Sequence, residues 1–170
     1  TIGQVQFETI RWEERMGRAD LDGNVVRSTD MLGAPSVFLF YRGNWCPLCM
    51  GQINELVERR KEFEDLSANV CLISSQPAAS TRELADRLGT DFRFLVDTDN
   101  SVAQSLGIAV SNGVPLGTPG EHTGDTVLPT LFVTSAGGTI VFSDQTDNYR
   151  ARPEPDIFLA LLRRARANAA

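Results

Sequence analysis

The chain has 170 residues, 42% hydrophobic and 22% charged, with a net charge of −6; that length supports one ordinary domain with a core of its own, and the balance is that of a soluble globular protein. The acidity argues against non-specific nucleic-acid binding, which needs a basic face to neutralise phosphates. No run approaches the roughly 18 apolar residues of a membrane-spanning helix, the first residues lack a charged segment followed by an apolar core, and three cysteines are too few for a disulfide framework.

Aspartate and glutamate are scattered and read as solubilising, while Lys61 is the only lysine among the basic residues, a composition bias rather than a functional signal. Numbering begins at Thr1, which is compatible with a leader or tag removed ahead of it. A single domain is expected over residues 1–170, with 1–18 an N-terminal extension of undecided structure.

In chain order, Val5, Phe7, Ile10 and Trp12 fit either an edge strand or a short helix. Asp22-Gly23, between Leu21 and Val25-Val26, is a hairpin turn signal, so Ala19 to Arg27 is expected to form a β-hairpin. Asp30-Met31-Leu32-Gly33 reads as one helical turn leading to Ala34-Pro35. Val37-Phe38-Leu39-Phe40-Tyr41 is a β-branched and aromatic run of strand length, expected to be a buried central strand. Met50, Ile53, Leu56, Val57, Phe63 and Leu66 then recur at three- and four-residue steps, the stripe of one long helix with a buried face. Val70-Cys71-Leu72-Ile73 is a second continuous apolar run, so strand, helix and strand predict a parallel pair with a crossover.

Ser80 or Thr81 is expected to cap a helix to about Leu88, with Gly89 just past its end. Phe92, Phe94, Leu95 and Val96 predict a short strand, and Asp99 a cap for a helix from Ser101 to Leu106 that Gly107 stops. Ser111 to Gly124 holds four glycines and two prolines without apolar period, a loop of a length that is often functional. Val127 to Thr134 and Thr139 to Ser143 predict an antiparallel hairpin around Ser135-Ala136-Gly137-Gly138. A last helix from about Pro155 should bury Ile157, Phe158, Leu161 and Leu162. Its acidic start (Glu154, Asp156) and basic end (Arg163, Arg164, Arg166) match the helix macrodipole.

The stretch that carries chemistry is Trp45-Cys46-Pro47-Leu48-Cys49, at the corner where the central strand hands over to the long helix. If Pro47 takes the first helical position, Cys46 becomes the N-cap and Cys49 falls in the first turn. Unpaired backbone N–H groups and the positive end of the dipole then favour a thiolate over a thiol. Arg42 adds positive potential, or is simply a solvated arginine. Residues three apart in a first turn lie on one side, close enough for their sulfurs to join. An acidic thiol beside a second thiol is the arrangement for reversible two-electron chemistry. Cys46, at the rim, should attack; Cys49, tucked against the helix, should resolve.

The order strand, C-x-x-C, helix, strand, helix, strand, Pro-led hairpin and closing helix resembles the thioredoxin fold: an α/β architecture with a central mixed β-sheet flanked by helices, here with an N-terminal β-hairpin extension. The phrase Phe40-Tyr41-Arg42-Gly43-Asn44-Trp45-Cys46-Pro47-Leu48-Cys49 is similar to the active-site corner of the peroxiredoxin-like AhpC/TSA family. Ile73-Ser74-Ser75-Gln76 and Asp97-Thr98-Asp99 through Leu106-Gly107-Ile108 also resemble that family, so the likeness spans about Leu21 to Leu162.

Two departures stand out. Peroxiredoxins carry Pro-x-x-x-Thr/Ser-x-x-Cys, whose hydroxyl helps hold the peroxide, where this chain, counted back from Cys46, has Leu39 and Gly43. They also bring an arginine to the start of the late hairpin, where this chain has Leu128-Pro129-Thr130. That segment resembles the cis-proline segment of thioredoxins instead, as Trp45-Cys46 resembles their Trp-Cys pair. The likeness therefore implies a cis Pro129 and a Leu128 backbone lying against the Cys46 sulfur; the alternative is that Pro129 simply opens a strand, where proline is tolerated.

The resemblance implies a thiol peroxidase reducing hydroperoxides through a Cys46 sulfenate resolved by Cys49. The alternatives are a thioredoxin-like disulfide oxidoreductase and, from another class, a non-catalytic binding or redox-sensing module. No cofactor is expected. The implied reductant is thioredoxin, glutaredoxin or glutathione, with a homodimer possible and a reducing, cytoplasmic location expected. Trp45 reads as a hydrophobic wall beside the sulfur. Cys71 reads as a small buried hydrophobe rather than a third redox partner, and His122, the only histidine, as a loop residue without a catalytic task. The competing use of the cysteines is half a zinc site, for which only Cys71 and His122 remain to complete four ligands.

Overall fold

The computed structural model describes residues 18–118, 124–145, 148 and 150–167. The earliest apolar run and His122 lie outside them.

Among the described residues the strands are β1 (Arg18–Ala19), β2 (Val25–Val26), β3 (Ser36–Phe40), β4 (Asn69–Ser74), β5 (Arg93–Val96), β6 (Ala109–Val110), β7 (Thr126–Val127), β8 (Thr130–Thr134) and β9 (Ile140–Gln145). The helices are α1 (Pro47–Glu58), α2 (Arg60–Asp65), α3 (Ala78–Leu88), α4 (Ser101–Ser105) and α5 (Pro155–Ala167), with a 3-10 turn over Ser28–Met31. A seven-stranded mixed sheet runs β2-β1-β5-β4-β3-β8-β9, and β6 and β7 pair separately. The expected parallel pair is β3 with β4, Val37 opposite Val70 and Phe40 opposite Ile73. The N-terminal hairpin β1–β2 adds to the edge of the sheet through Ala19 opposite Val96.

Alternation along the inner strands sorts the core into two layers. Val37, Leu39, Tyr41, Val70 and Leu72 face α1, α2 and α5 together with Cys46 and Cys49. Phe38, Phe40, Cys71 and Ile73 face the opposite way, toward Met31, α4 and Val127. Each large apolar side chain fully removed from water contributes about 1.5–3 kcal/mol. β3, buried along its whole length, is the strand whose exit sets the position of the site.

Four local expectations are corrected. The long helix is interrupted at Arg59, which leaves helical geometry (φ −95°, ψ 9°) while its guanidinium spans Glu62 and Asp156. Helix α3 starts at Ala78, because extended Pro77 precedes it and Thr81 Oγ1 donates back to the Pro77 carbonyl instead of capping. For α4 the buried Asp97 carboxylate accepts the N–H groups of Val102 and Ala103 at 3.3 and 3.1 Å, while Asp99 accepts that of Ser101 at 3.2 Å. In α5 the buried set is Pro155, Phe158, Leu159 and Leu162, and Ile157 is half exposed, since the helix presents a face rotated from the expected one.

Candidate active site

At the end of β3 the chain keeps one more rung, Tyr41 N–H to Ile73 O at 3.0 Å, and then turns. The turn closes through Cys46 N–H to Gly43 O at 3.1 Å, and the first helical bond runs from Met50 N–H to Cys46 O at 3.0 Å. Pro47 occupies the first helical position and Cys46 the N-cap, in extended conformation (φ −93°, ψ 106°), which places Cys49 in the first turn as its spacing requires.

Gly43 has a positive φ of +153°, and a Cβ there would meet Trp45 Nε1 at 2.4 Å. The space a side chain would take at this position is thus filled by the indole. The Arg42 guanidinium lies over the same ring, 4.7 Å from its centroid, a cation–π contact. Arg42 Nη2 also donates to the Gly113 carbonyl at 3.4 Å, and Thr126 Oγ1 donates to the Arg42 carbonyl at 2.7 Å, so the start of the long loop and β7 are tied to the corner.

Beneath the turn lies a polar knot that sequence reasoning gave no role. Gln76 Oε1 accepts the Asn44 N–H at 2.9 Å, and its Nε2 donates to Asn44 Oδ1 at 2.8 Å and to the Tyr41 hydroxyl at 3.1 Å. Asn44 Nδ2 reaches the Ser80 carbonyl at 2.7 Å. Burial pushes the Tyr41 phenol up to about 12, so it serves as a neutral hydrogen-bonding group.

The cysteines are free thiols buried in the same core cluster, and each biases the titration of the other. Cys46 is shifted well below the ordinary thiol range: the Cys49 thiol donates to it first of all, the Cys49 amide and the charges of Arg42 and Arg152 help, and burial opposes them. Cys49 is shifted the other way, because it holds the proton the pair shares and is buried; the Arg42 N–H at 3.5 Å and the Arg152 charge oppose this. Both shifts point the same way: the proton is favoured on Cys49 and the negative charge on Cys46.

Two expectations about this site change. Cys46 is not at an open rim but 2% exposed, against 0% for Cys49, because it packs into the layer of Leu39, Tyr41 and Leu131 with Trp45 against that cluster. Pro129 is trans. It fills the gap between β7 and β8, where a residue without an N–H costs no ladder bond. The Leu128 N–H goes to Ile108 O at 2.8 Å and its carbonyl accepts Thr130 Oγ1 at 3.0 Å. Thr130 opposite Phe40 keeps the segment at the same end of the sheet as the cysteines. Cys71 belongs to the other face of the sheet, which separates it from the pair. Among the described residues no three His, Cys, Asp or Glu side chains gather to hold a metal.

The residue that sequence reasoning missed is Arg152, from the connection between β9 and α5, whose Nη2 lies 3.4 Å from Cys49 Sγ. Nothing local in its sequence context marks it, beyond being an arginine shortly ahead of a buried helix start. Chemically the arrangement offers one thiol biased toward ionisation, a second biased toward keeping its proton, and two arginines nearby.

The AhpC/TSA family model matches residues 10–143. The chain belongs to the AhpC/TSA family. It is 32% identical over 95 residues to the thiol-disulfide oxidoreductase ResA of Geobacillus thermodenitrificans, covering 53% of this chain and 52% of that protein. It is 30% identical over 89 residues to the chloroplastic peroxiredoxin Q of Oryza sativa subsp. japonica, covering 52% of this chain and 41% of that one. The chain thus spans about half the length of the curated relatives it matches, or less. Among solved structures it is similar to peroxidoxin BcpB from Mycobacterium tuberculosis (TM-score 0.70, 24% identity, 86% of this chain and 90% of that one). It is also similar to Xanthomonas campestris peroxiredoxin Q (TM-score 0.70, 16% identity, 88% of this chain and 90% of that one). Both likenesses are of fold: the thioredoxin-like architecture of peroxiredoxins.

Proposed function

We propose that this chain is a thiol-dependent peroxidase in which Cys46 attacks a hydroperoxide and Cys49 resolves the product. The observation that carries the reading is the pair of buried free thiols at the start of α1, with the negative charge favoured on Cys46. The Cys46 thiolate attacks the terminal peroxide oxygen, the O–O bond breaks, and the departing alkoxide or hydroxide takes up a proton. The resulting sulfenic acid condenses with the Cys49 thiol to a disulfide, releasing water. Thioredoxin, glutaredoxin or glutathione then returns the pair to dithiol by exchange, in a reducing compartment such as the cytoplasm. A homodimer is compatible with this scheme. At 2% exposure, Cys46 favours a small peroxide, which needs less movement of Trp45 than a protein disulfide would.

A second reading, disulfide exchange, is favoured by one feature. Gly43 lies under the indole, so no hydroxyl stands where peroxiredoxins hold their peroxide, and the ResA relatives are named for that chemistry. Stopped-flow mixing of the reduced protein with hydrogen peroxide separates the two. The proposal expects a rate far above that of free cysteine, with a sulfenic acid trapped at Cys46 in Cys49→Ser. A rate no faster than free cysteine overturns it in favour of exchange.

A further inference from the structure

In the resting protein the Arg152 charge is the smallest of the influences that favour the Cys46 thiolate, and its geometry points to a further use. Its Nη2 lies 3.4 Å from Cys49 Sγ and its Nη1 3.2 Å from the carbonyl of Ala151, while its Nε is sealed from solvent with no acceptor among the described residues. Desolvating a guanidinium costs free energy unless acceptors replace its water. A neutral thiol is a weak acceptor, whereas a hydrogen bond to an ionised partner is about twice as strong as one between neutral groups. Asp144, on β9, senses the Arg152 charge, but burial holds this carboxyl above its usual range, and among the described residues the two make no ion pair. The guanidinium is therefore poorly spent on the reduced pair and well placed for a different charge state of Cys49.

We propose that Arg152 serves the second half of the reaction, receiving Cys49 as a thiolate once Cys46 has been oxidised and so setting the rate at which the two sulfurs join. This rests on Cys46 being the attacking sulfur. In the reduced pair the Cys46 anion keeps the proton on Cys49. Conversion of Cys46 to a sulfenic acid removes that anion. The groups then facing Cys49 are the Arg152 guanidinium, the Arg42 amide, the neutral Tyr41 phenol and the oxidised Cys46, with Asp144 beyond Arg152. The balance has turned positive, and Cys49 ionises. Its sulfur attacks Cys46 Sγ, the S–S bond forms, the S–O bond breaks, and the leaving hydroxide combines with the proton Cys49 released. Cys49 is oxidised by as much as the Cys46 sulfur is reduced, so the step needs no further oxidant.

Single-turnover oxidation by hydrogen peroxide, followed by quenching and mass analysis, resolves the first attack from disulfide closure in wild type, Arg152→Gln and Arg152→Lys. In Arg152→Gln the ratio of closure rate to attack rate falls about tenfold at neutral pH, the pH midpoint of closure moves up, and more Cys46 reaches the sulfinic acid. Arg152→Lys, which keeps the charge, recovers part of the ratio. Closure with an unchanged rate ratio and midpoint in Arg152→Gln overturns the inference, as does equal slowing of both phases in both variants. Should Arg152→Gln not fold, the wild-type pH profile of closure decides: closure that stays fast well below the titration of free cysteine supports the inference, and closure that tracks free cysteine defeats it. Absence of any 46–49 disulfide in oxidised wild type sinks the proposed function and the inference with it, whereas normal closure indifferent to residue 152 sinks the inference alone.

Discussion

Cys71 and the Cys46–Cys49 pair lie on opposite faces of one sheet, and all three thiols are at most 2% exposed. Burial alone would make each a weak acid. For Cys71 it does: the thiol sits in the middle of β4 with the Met31 sulfur 3.8 Å away, and desolvation raises it to about 12 with only the Arg93 charge opposing. At the corner the same desolvation is outweighed for Cys46 by a donated S–H, a helix amide and two arginines. Donor placement, more than solvent access, decides whether a buried sulfur in this fold becomes an anion.

The strongest way to break that contrast is to exchange the thiols. Cys46→Ser is expected to lower turnover by about a thousandfold or more, measured as peroxide-dependent oxidation of a thiol reductant. Cys49→Ser should leave a trapped sulfenic acid or mixed disulfide, and Cys71→Ala full turnover. Retained activity in Cys46→Ser would end the nucleophile assignment. The pH dependence sharpens the same point. Because the folded value of Cys46 lies below that of a free thiol, its thiolate is present at neutral pH and is lost only as pH falls through that lowered value. Ultraviolet thiolate absorbance and alkylation rate should both show this, and in Cys49→Ala, which offers no donor in place of the S–H, the midpoint should move up. A wild-type midpoint equal to that of free cysteine would contradict the electrostatic account.

How legible each region was in the sequence follows from what holds it. The corner could be read because an apolar run ends and a helical stripe begins within a few residues, with a proline between two cysteines, and periodicity is a local signal. The hairpins could be read from Asp22-Gly23 and Gly137-Gly138 for the same reason. Arg152 could not, since it meets Cys49 across 103 residues of chain and no local pattern encodes where a long side chain ends. Gln76 was noticed only inside a family-like phrase; its knot with Asn44 and Tyr41 exists only once β3 and β4 are paired. The cis expectation at Pro129 came from likeness, and it failed where Val127 left the late hairpin to pair with Ala109.

Smaller effects test the scaffold under the acidic sulfur. Gln76→Ala strands the Asn44 N–H and removes one of the partners of the buried Tyr41 hydroxyl, and should cost about 2 kcal/mol in denaturant unfolding. A loss below a few tenths would mean that water takes over these bonds. Gly43→Ala sets a methyl 2.4 Å from Trp45 Nε1 at a φ of +153°, which should cost about 2 kcal/mol and shift the tryptophan fluorescence as the ring moves off the backbone. Unchanged emission and stability would mean that the indole does not rest on Gly43.

The smallest effect lies on the other face of the sheet, and its sign can be worked out. Cys71→Ala removes one buried sulfur and should cost about 1 kcal/mol at neutral pH. The folded Cys71 value, raised to about 12, exceeds that of the unfolded thiol. Its contribution is therefore fully present below the unfolded value and is lost as pH rises toward the folded one. Tyr41, also raised to about 12, adds a similar loss at higher pH in both proteins, so it cancels in the comparison. The stability gap between wild type and Cys71→Ala should then narrow as pH is raised from about 8 toward 11, because only the wild type must keep that thiol protonated to stay folded. A gap that stays constant over this range would show that Cys71 ionises as easily in the folded protein as in the unfolded chain, and the contrast between the two faces would rest on the corner alone.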